Sequence, residues 1–373
     1  MAIININIMN TNMMNTNISQ HDKSKLINLI NDDLINSEQT VICKFIRSLN
    51  NFIYQCDNHG SYSLYCFNGR TWSINDIIMS KSLSSEIYDF LKTILIEYFH
   101  QHKDFNIMVN KIGKLKTMSF KKSTINTYKK YGLDNSIKFD NNPYLFGFSD
   151  NVYDLQKREY RNYSYDDYMT TNCGYMWRDP TDEELFTVNE LLCKIMPSEG
   201  NRSDLLRIMS EGLCGTCSNK IYMYNGQGGN GKSVLNDLFL HSLGSYGLIG
   251  CSAVLHNKPK DNIETLNLYG KRYIVFNEIS QRKKINDHMR MELTGNDSMI
   301  KTNDKFNSTV VIESNQQSNP DIANVFFGST FTDNDELLDD TKHIYKMNKY
   351  YKTNEFQEKH KFALLKILFD VFT

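Results

Sequence analysis

Eight consecutive residues, Gly226, Gln227, Gly228, Gly229, Asn230, Gly231, Lys232 and Ser233, concentrate the means of holding a phosphate. Glycine backbones turn sharply and bring their N–H groups against phosphate oxygens with no Cβ in the way. Lys232 is suited to neutralise β- and γ-phosphates, and Ser233 to ligate Mg²⁺ through its hydroxyl. The spacing is that of the G-x-x-x-x-G-K-[ST] loop, the phosphate cradle of nucleoside triphosphate sites.

Such a loop needs a strand to leave and a helix to enter, and its flanks supply both. Residues 221–224 are an apolar run of strand type, and Val234, Leu235, Leu238 and Phe239 recur at helical spacing. The free N–H groups and positive dipole end of that helix then point at the phosphates. Hydrolysis needs more. KRYIVFNEIS (residues 271–280) reads as a second buried strand with Asn277 and Glu278 at its tip. Glu278 is placed to polarise the attacking water and to act on Mg²⁺ through it, while Asn277 stands where many such ATPases carry an aspartate. A third strand, residues 309–313, ends in Ser314 and Asn315, and Asn315 is placed to hydrogen-bond the γ-phosphate and the water. This order of loop and strand tips predicts an α/β fold, a mostly parallel sheet with helices on both faces.

The rest of the chain is read around that centre. The sequence has 373 residues, enough for two or three domains, and 40% hydrophobic residues to build their cores. A formal net charge of −1 announces no global nucleic-acid binder, so any such surface must be local. The eight cysteines are scattered, and Cys214-Gly-Thr-Cys217 lacks a second pair, so packing is expected there rather than zinc. With no secretory leader and no apolar run of the ~18–20 residues a membrane span needs, the expectation is an intracellular, cytoplasmic protein with no membrane partner.

Residues 1–22 form an Asn-rich run expected to be a disordered tail. Helical spacing follows over residues 23–49, alternation with an Asn68-Gly69 turn over residues 51–72, which suggests a hairpin, and helix again over residues 80–100. Residues 105–133 contain no Asp or Glu. They carry Lys121, Lys122, Lys129 and Lys130 among Phe120, Tyr128 and Tyr131. Lysines for phosphates and aromatics for stacking suit single-stranded nucleic acid, whereas a solvated basic face over core aromatics is the plainer reading. Residues 144–177 read as short strands and turns, and residues 181–213 as a helical pair. Asp166-Asp167 and Glu183-Glu184 fall at helix starts, where capping accounts for them.

These motifs together resemble superfamily 3 helicases, in particular the primase-helicase group of poxvirus type, other large DNA viruses and phages. GQGGNGKS is similar to that group's phosphate loop, KRYIVFNEIS to its second motif and VVIESN to its third, with Asn315 as the polar tip. MELTGNDS, from Met291, resembles the short motif before the DNA-contacting hairpin, where Lys301 and Lys305 are the basic candidates. FNGRTW (residues 67–72) and GFSDNVYDL (residues 147–155) look like landmarks of the helicase-associated domain. The resemblance implies an α+β helicase-associated domain over residues 23–178 and an AAA+ type P-loop ATPase over residues 179–373. It also implies ATP and Mg²⁺ as cofactors, and a homo-oligomeric ring, commonly a hexamer, working on single-stranded DNA at a replication fork. A viral source would place the protein at a viral replication site.

The chain departs from the group in four respects. The helicase-associated region begins almost at once, without a primase module, and the sequence ends soon after the ATPase core. The interval between Asp297 and Asn315 is short for the hairpin, and no arginine follows Arg290, where the family's resemblance implies one reaching into a neighbouring site. Lys342 or Lys346 could bring charge but not the planar fork of arginine, and Arg282 or Arg290 would need a rearranged geometry. The alternatives are therefore a degenerate paralogue that binds ATP and nucleic acid, joining a mixed ring with an intact helicase, or an ATPase for packaging or assembly.

Overall fold

A computed structural model describes residues 20–56, 60–216, 220–256, 267–277, 285–294, 308–315 and 322–372. They fall into two compact units, drawn from Met1–Asn141 with Tyr163–Thr170 and from Asn142–Asn162 with Thr171–Thr373. All but the last few residues of the expected tail lie outside the described residues, and a helix already begins at Gln20.

In the first unit, helices α1 (Gln20–Asp33) and α2 (Glu38–Ser48) precede an antiparallel sheet of β1 (Phe52–Cys56), β2 (Tyr62–Phe67) and β3 (Trp72–Ile74). Asn68 builds the β2–β3 hairpin: its side-chain oxygen accepts from the backbone N–H groups of Arg70 and Thr71, each at 2.9 Å. Four helices complete the unit, α3 (Asp76–Ser84), α4 (Glu86–Phe99), α5 (Phe105–Gly113) and α6 (Met118–Gly132). Their apolar stripes meet around Phe45, Ile87, Leu91, Ile112 and Tyr128.

The second unit opens with a small antiparallel sheet, β4 (Leu145–Gly147), β5 (Val152–Asp154) and β6 (Glu159–Arg161). Then follow α7 (Asp182–Ile195), α8 (Glu199–Glu211), β7 (Ile221–Asn225), α9 (Lys232–Leu243), β8 (Gly247–Gly250), β9 (Tyr273–Asn277), α10 (Asp287–Leu293), β10 (Thr309–Ser314), β11 (Ala323–Phe326), β12 (Thr330–Thr332), β13 (Ile344–Lys346) and α11 (Asn354–Val371). Five of these strands form one sheet in the order β11-β7-β10-β9-β8, with every pairing parallel. Alternate side chains enter different cores, as the two-residue period of a strand requires. Tyr222, Tyr224, Tyr273, Val275 and Val311 pack with α8, α9 and α11, and Met223, Ile274, Phe276, Val310 and Ile312 with Met289 and Leu293 of α10.

The unit boundary differs from the one expected at residue 178. Residues 142–162 belong with the second unit because their aromatics are part of its core: the Tyr153 and Phe369 rings stack 4.0 Å apart, and Phe146 lies 5.1 Å from Tyr246. The acidic pairs cap, as read. Thr181 and Glu184 form a capping box at α7, and Arg178 grips the same carboxylate with two 2.8 Å hydrogen bonds.

Arg272, just before β9, ties this unit together from inside. Its buried guanidinium donates to the carbonyls of Leu213 (2.6 Å) and Leu145 (2.8 Å) and lies 4.1 Å from the Tyr246 ring centre. Replacing it with leucine leaves two buried carbonyls without their charged donor, so Arg272→Leu should destabilise the protein by about 3 kcal/mol or more. Denaturant unfolding checks this; an unchanged midpoint would refute it.

Candidate nucleotide site

The carboxyl ends of parallel strands share one edge, and pairing aligns the tips that matter. Ser314 is opposite Asn225, and Glu313 is opposite both Tyr224 and Asn277. Because β10 lies between β7 and β9, the Asn315 tip sits beside the glycine loop that follows β7 rather than beyond β9.

The loop conformation depends on its glycines. Gly226 has φ +153° and Gly231 φ +88°. A Cβ on Gly226 would meet the Asn230 amide and the Phe327 carbonyl, and one on Gly231 would meet the Ile195 side chain at 2.6 Å. Strand β12, paired with β13, secures the loop, since the Phe331 N–H donates to the Gly229 carbonyl at 2.7 Å.

Lys232, only 4% exposed, turns back over the loop. Its Nζ donates to the Gly226 carbonyl (3.0 Å), Asn230 Oδ1 (3.0 Å) and Asn315 Oδ1 (3.2 Å). Burial pushes the ammonium below its usual pKa range, with the Glu313 carboxylate opposing. Thus Lys232, Asn230 and Asn315 meet. Glu278, the expected water-polarising acid, lies outside the described residues, as do Lys301, Lys305 and Arg282.

Two partners escaped the sequence reading. Ser233 donates to Glu313 Oε2 at 2.7 Å, and Asn236 Nδ2 donates to Glu313 Oε1 at 2.6 Å. Ser233 and Asn236 are three residues apart on α9, hence on one helical face. A signal was present: Glu313 directly follows the apolar run Val310, Val311 and Ile312, where a buried carboxylate requires partners. Oxygen donors at the start of α9, with a carboxylate behind the hydroxyl, are the chemistry a hard divalent cation accepts.

A pocket of about 410 Å³ opens over these groups. Its lining includes Gly228 to Val234, Asn277, Glu313 and Asn315, together with Phe331, Tyr351 and Lys352. The lining thus combines two lysines and several amides with two aromatic rings, and Phe331 lies directly against the glycine loop. Among the described residues no group of three or more His, Cys, Asp or Glu is arranged to hold a metal; Cys214 is buried, and Cys217 lies outside the description.

In the first unit the basic segment divides into different environments. Lys111 and Lys114 are tied to Glu38 at 2.5 and 2.6 Å. Burial raises that carboxyl, but the two lysine hydrogen bonds outweigh it and hold its pKa below the usual range. Tyr128 is fully buried with its hydroxyl on the Phe52 carbonyl at 2.8 Å, and Phe120 and Tyr131 pack against the core. Tyr128 thus offers no stacking face, while Phe120 and Tyr131 are only partly buried. Lys122, Lys129 and Lys130 are exposed and Lys121 partly so, with Lys129 Nζ 5.5 Å from the ring centre of the half-exposed Tyr62.

Comparison with known proteins agrees with the motifs. Residues 43–195 match the family described as D5 N terminal like. A protein of Acanthamoeba polyphaga mimivirus, named as a helicase, is 28% identical over 300 residues, 74% of this chain and 31% of its own length. A helicase-named protein of Invertebrate iridescent virus 3 is 28% identical over 209 residues, 53% of this chain and 22% of that one. The chain therefore spans under a third of the length of these relatives. Among solved structures, the apo C-terminal region of NrS-1 aligns with TM-score 0.44 and 12% identity, over 89% of this chain and 69% of that one. No helix among the described residues is long and apolar enough to cross a membrane.

Proposed function

We propose that this chain, which resembles the poxvirus-type primase-helicases of large DNA viruses, is a helicase-like P-loop ATPase that couples ATP hydrolysis to movement along single-stranded DNA. The observation that carries the reading is the meeting of Lys232 with Asn315, at 3.2 Å, over the glycine loop. The two groups come from α9 and from the tip of β10, and both face one pocket. The helicase names of the mimivirus and iridescent virus proteins support it.

In this reading the triphosphate lies along residues 226–233 and the rest of the nucleotide in the same pocket. Phosphate oxygens take the place of the Gly226 carbonyl and the two amide oxygens as acceptors for Lys232. Its ammonium, already stripped of water, then acts on the phosphates at low effective dielectric. Bound Mg²⁺ would supply charge neutralisation at the β- and γ-phosphates; Ser233 offers it a hydroxyl. Asn315 holds the γ-phosphate and the attacking water, and Glu278 polarises that water. Assembly as a ring, commonly hexameric, would place the neighbouring subunit at the open side.

A second reading, a nucleotide- and DNA-binding subunit that joins an intact helicase, is favoured by the arginine census. No arginine lies between Asn315 and Thr373, and the candidate lysines are engaged, Lys342 with Asp339 and Lys346 with Asp335. ATP turnover with and without single-stranded DNA separates the two. Stimulation supports the motor. Binding without stimulated turnover supports the subunit, and absence of nucleotide binding sinks both.

Replacing Lys121, Lys122, Lys129 and Lys130 together with alanine should weaken single-stranded DNA binding. The slope of log affinity against log salt should shrink by up to about 3, at about 0.7 per phosphate contact. A slope equal to the parent's would return these lysines to a solvated face.

A further inference from the structure

Glu313 is a buried carboxylate in the pocket lining to which the reaction above gives no role. Both oxygens are committed: Oε2 accepts from Ser233 and Oε1 from Asn236, at 2.7 and 2.6 Å. Behind them, the Tyr273 hydroxyl donates to Asn236 Oδ1 at 2.9 Å and lies 3.3 Å from the Tyr224 hydroxyl. Burial pushes both tyrosine hydroxyls above their usual range, so they keep their protons and serve as hydrogen-bond donors. Val311 and Glu313 point to the α9 side of the sheet, while Val310 and Ile312 point to the other.

The residue opposite Glu313 on the neighbouring strand is Asn277, which also lines the pocket. In P-loop sites a strand-tip carboxylate shares the metal with the loop hydroxyl, and Asn277 carries no charge. A serine hydroxyl has one proton and two acceptor lone pairs. Giving the proton to a fixed carboxylate leaves the lone pairs facing the cation.

We propose that Glu313 is the positioning residue of the divalent-metal site: it orients the Ser233 hydroxyl and supplies the negative charge behind it, from the strand beside the Asn277 tip. This rests on the reading of the loop as a Mg²⁺–nucleotide site. Glu313 acts through Ser233 and need not touch the metal. Loss of such an outer partner typically lowers metal affinity about 10–100-fold.

The test uses the full chain and two measurements. Mn²⁺ affinity is titrated by electron paramagnetic resonance with a non-hydrolysable ATP analogue present, and affinity for a fluorescent ATP is measured in excess EDTA. Glu313→Gln should weaken Mn²⁺ binding about 10–100-fold and leave EDTA-state nucleotide affinity at the parent's value. Adding Asn277→Asp to that variant should restore part of the Mn²⁺ affinity, a recovery that a purely structural role would not produce. Should the amide variant not fold, Glu313→Asp keeps the charge but withdraws it by one methylene, and the same two readouts decide. Unchanged Mn²⁺ affinity, or an equal loss in EDTA, overturns the proposal. A parent chain that binds nucleotide but no Mn²⁺ overturns it as well while leaving the nucleotide site standing. A parent that binds no nucleotide in either condition removes the functional reading beneath it.

Discussion

Lys232→Ala lowers ATP turnover by about 10²–10³-fold, the scale of losing one preorganised charge at a site of phosphate chemistry, and weakens ATP binding with it. The size of the effect follows from the environment of the ammonium. Lys232 is 4% exposed and hydrogen-bonded to a loop carbonyl and two amide oxygens. Its cost of desolvation is met on folding, and burial accordingly pushes its pKa down. Phosphate therefore meets a cation with little water left to displace. The same reasoning says that the fold survives the change. Alanine removes a buried charge whose hydrogen bonds run to neutral acceptors, so the thermal midpoint should stay near the parent's while nucleotide affinity falls. Turnover assays, a fluorescent ATP titration and a melting curve on the same preparation separate these terms. Parent-like turnover in Lys232→Ala would remove the catalytic reading of the loop.

The features legible in the sequence were those with a local physical signature. The loop could be read because glycines at 226, 229 and 231 are required by backbone conformation, with φ of +153°, +75° and +88°. The β2–β3 hairpin could be read from Asn68-Gly69, and the start of α7 from Thr181 and Glu184. Strand order could not, since periodicity says which face a strand buries but not which strand lies beside it. That β10 separates β7 from β9, and so brings Asn315 to Lys232, appears only in three dimensions. Strand β8 was missed because GLIG has too few apolar residues to alternate; its place is set by pairing with β9, where Gly250 fits against the Phe276 ring. Glu313 was passed over for a related reason. Its partners Ser233 and Asn236 are about eighty residues away in sequence, at separations of 80 and 77. The aromatics of α6 left two readings open, because a Tyr among lysines has the same composition whether its ring faces solvent or, like Tyr128, the core.

An arginine supplied from another subunit should raise turnover by about 10³–10⁵-fold, the usual worth of such a residue in phosphoryl transfer. The cations lining the described pocket are lysines, Lys232 and Lys352. A lysine is a point charge and cannot grip two phosphate oxygens with a planar fork. Lys342, Lys346 and Lys349 are further restrained by Asp339, Asp335 and Asp333. The chain alone is therefore expected to bind ATP and to turn it over slowly, with a rate per site that changes little with protein concentration. Adding a related helicase that carries the arginine, but whose own P-loop lysine is replaced by alanine, makes this chain's site the source of any phosphate released. A large rise in that mixture, lost again when Lys232 is replaced, would show that the site is chemically whole and lacks only its neighbour's charge. Slow turnover in the mixture, with co-assembly observed, would instead favour a nucleotide-binding subunit. Fast turnover by the chain alone would overturn the arginine argument and direct attention to Lys352 as a cation acting within one subunit.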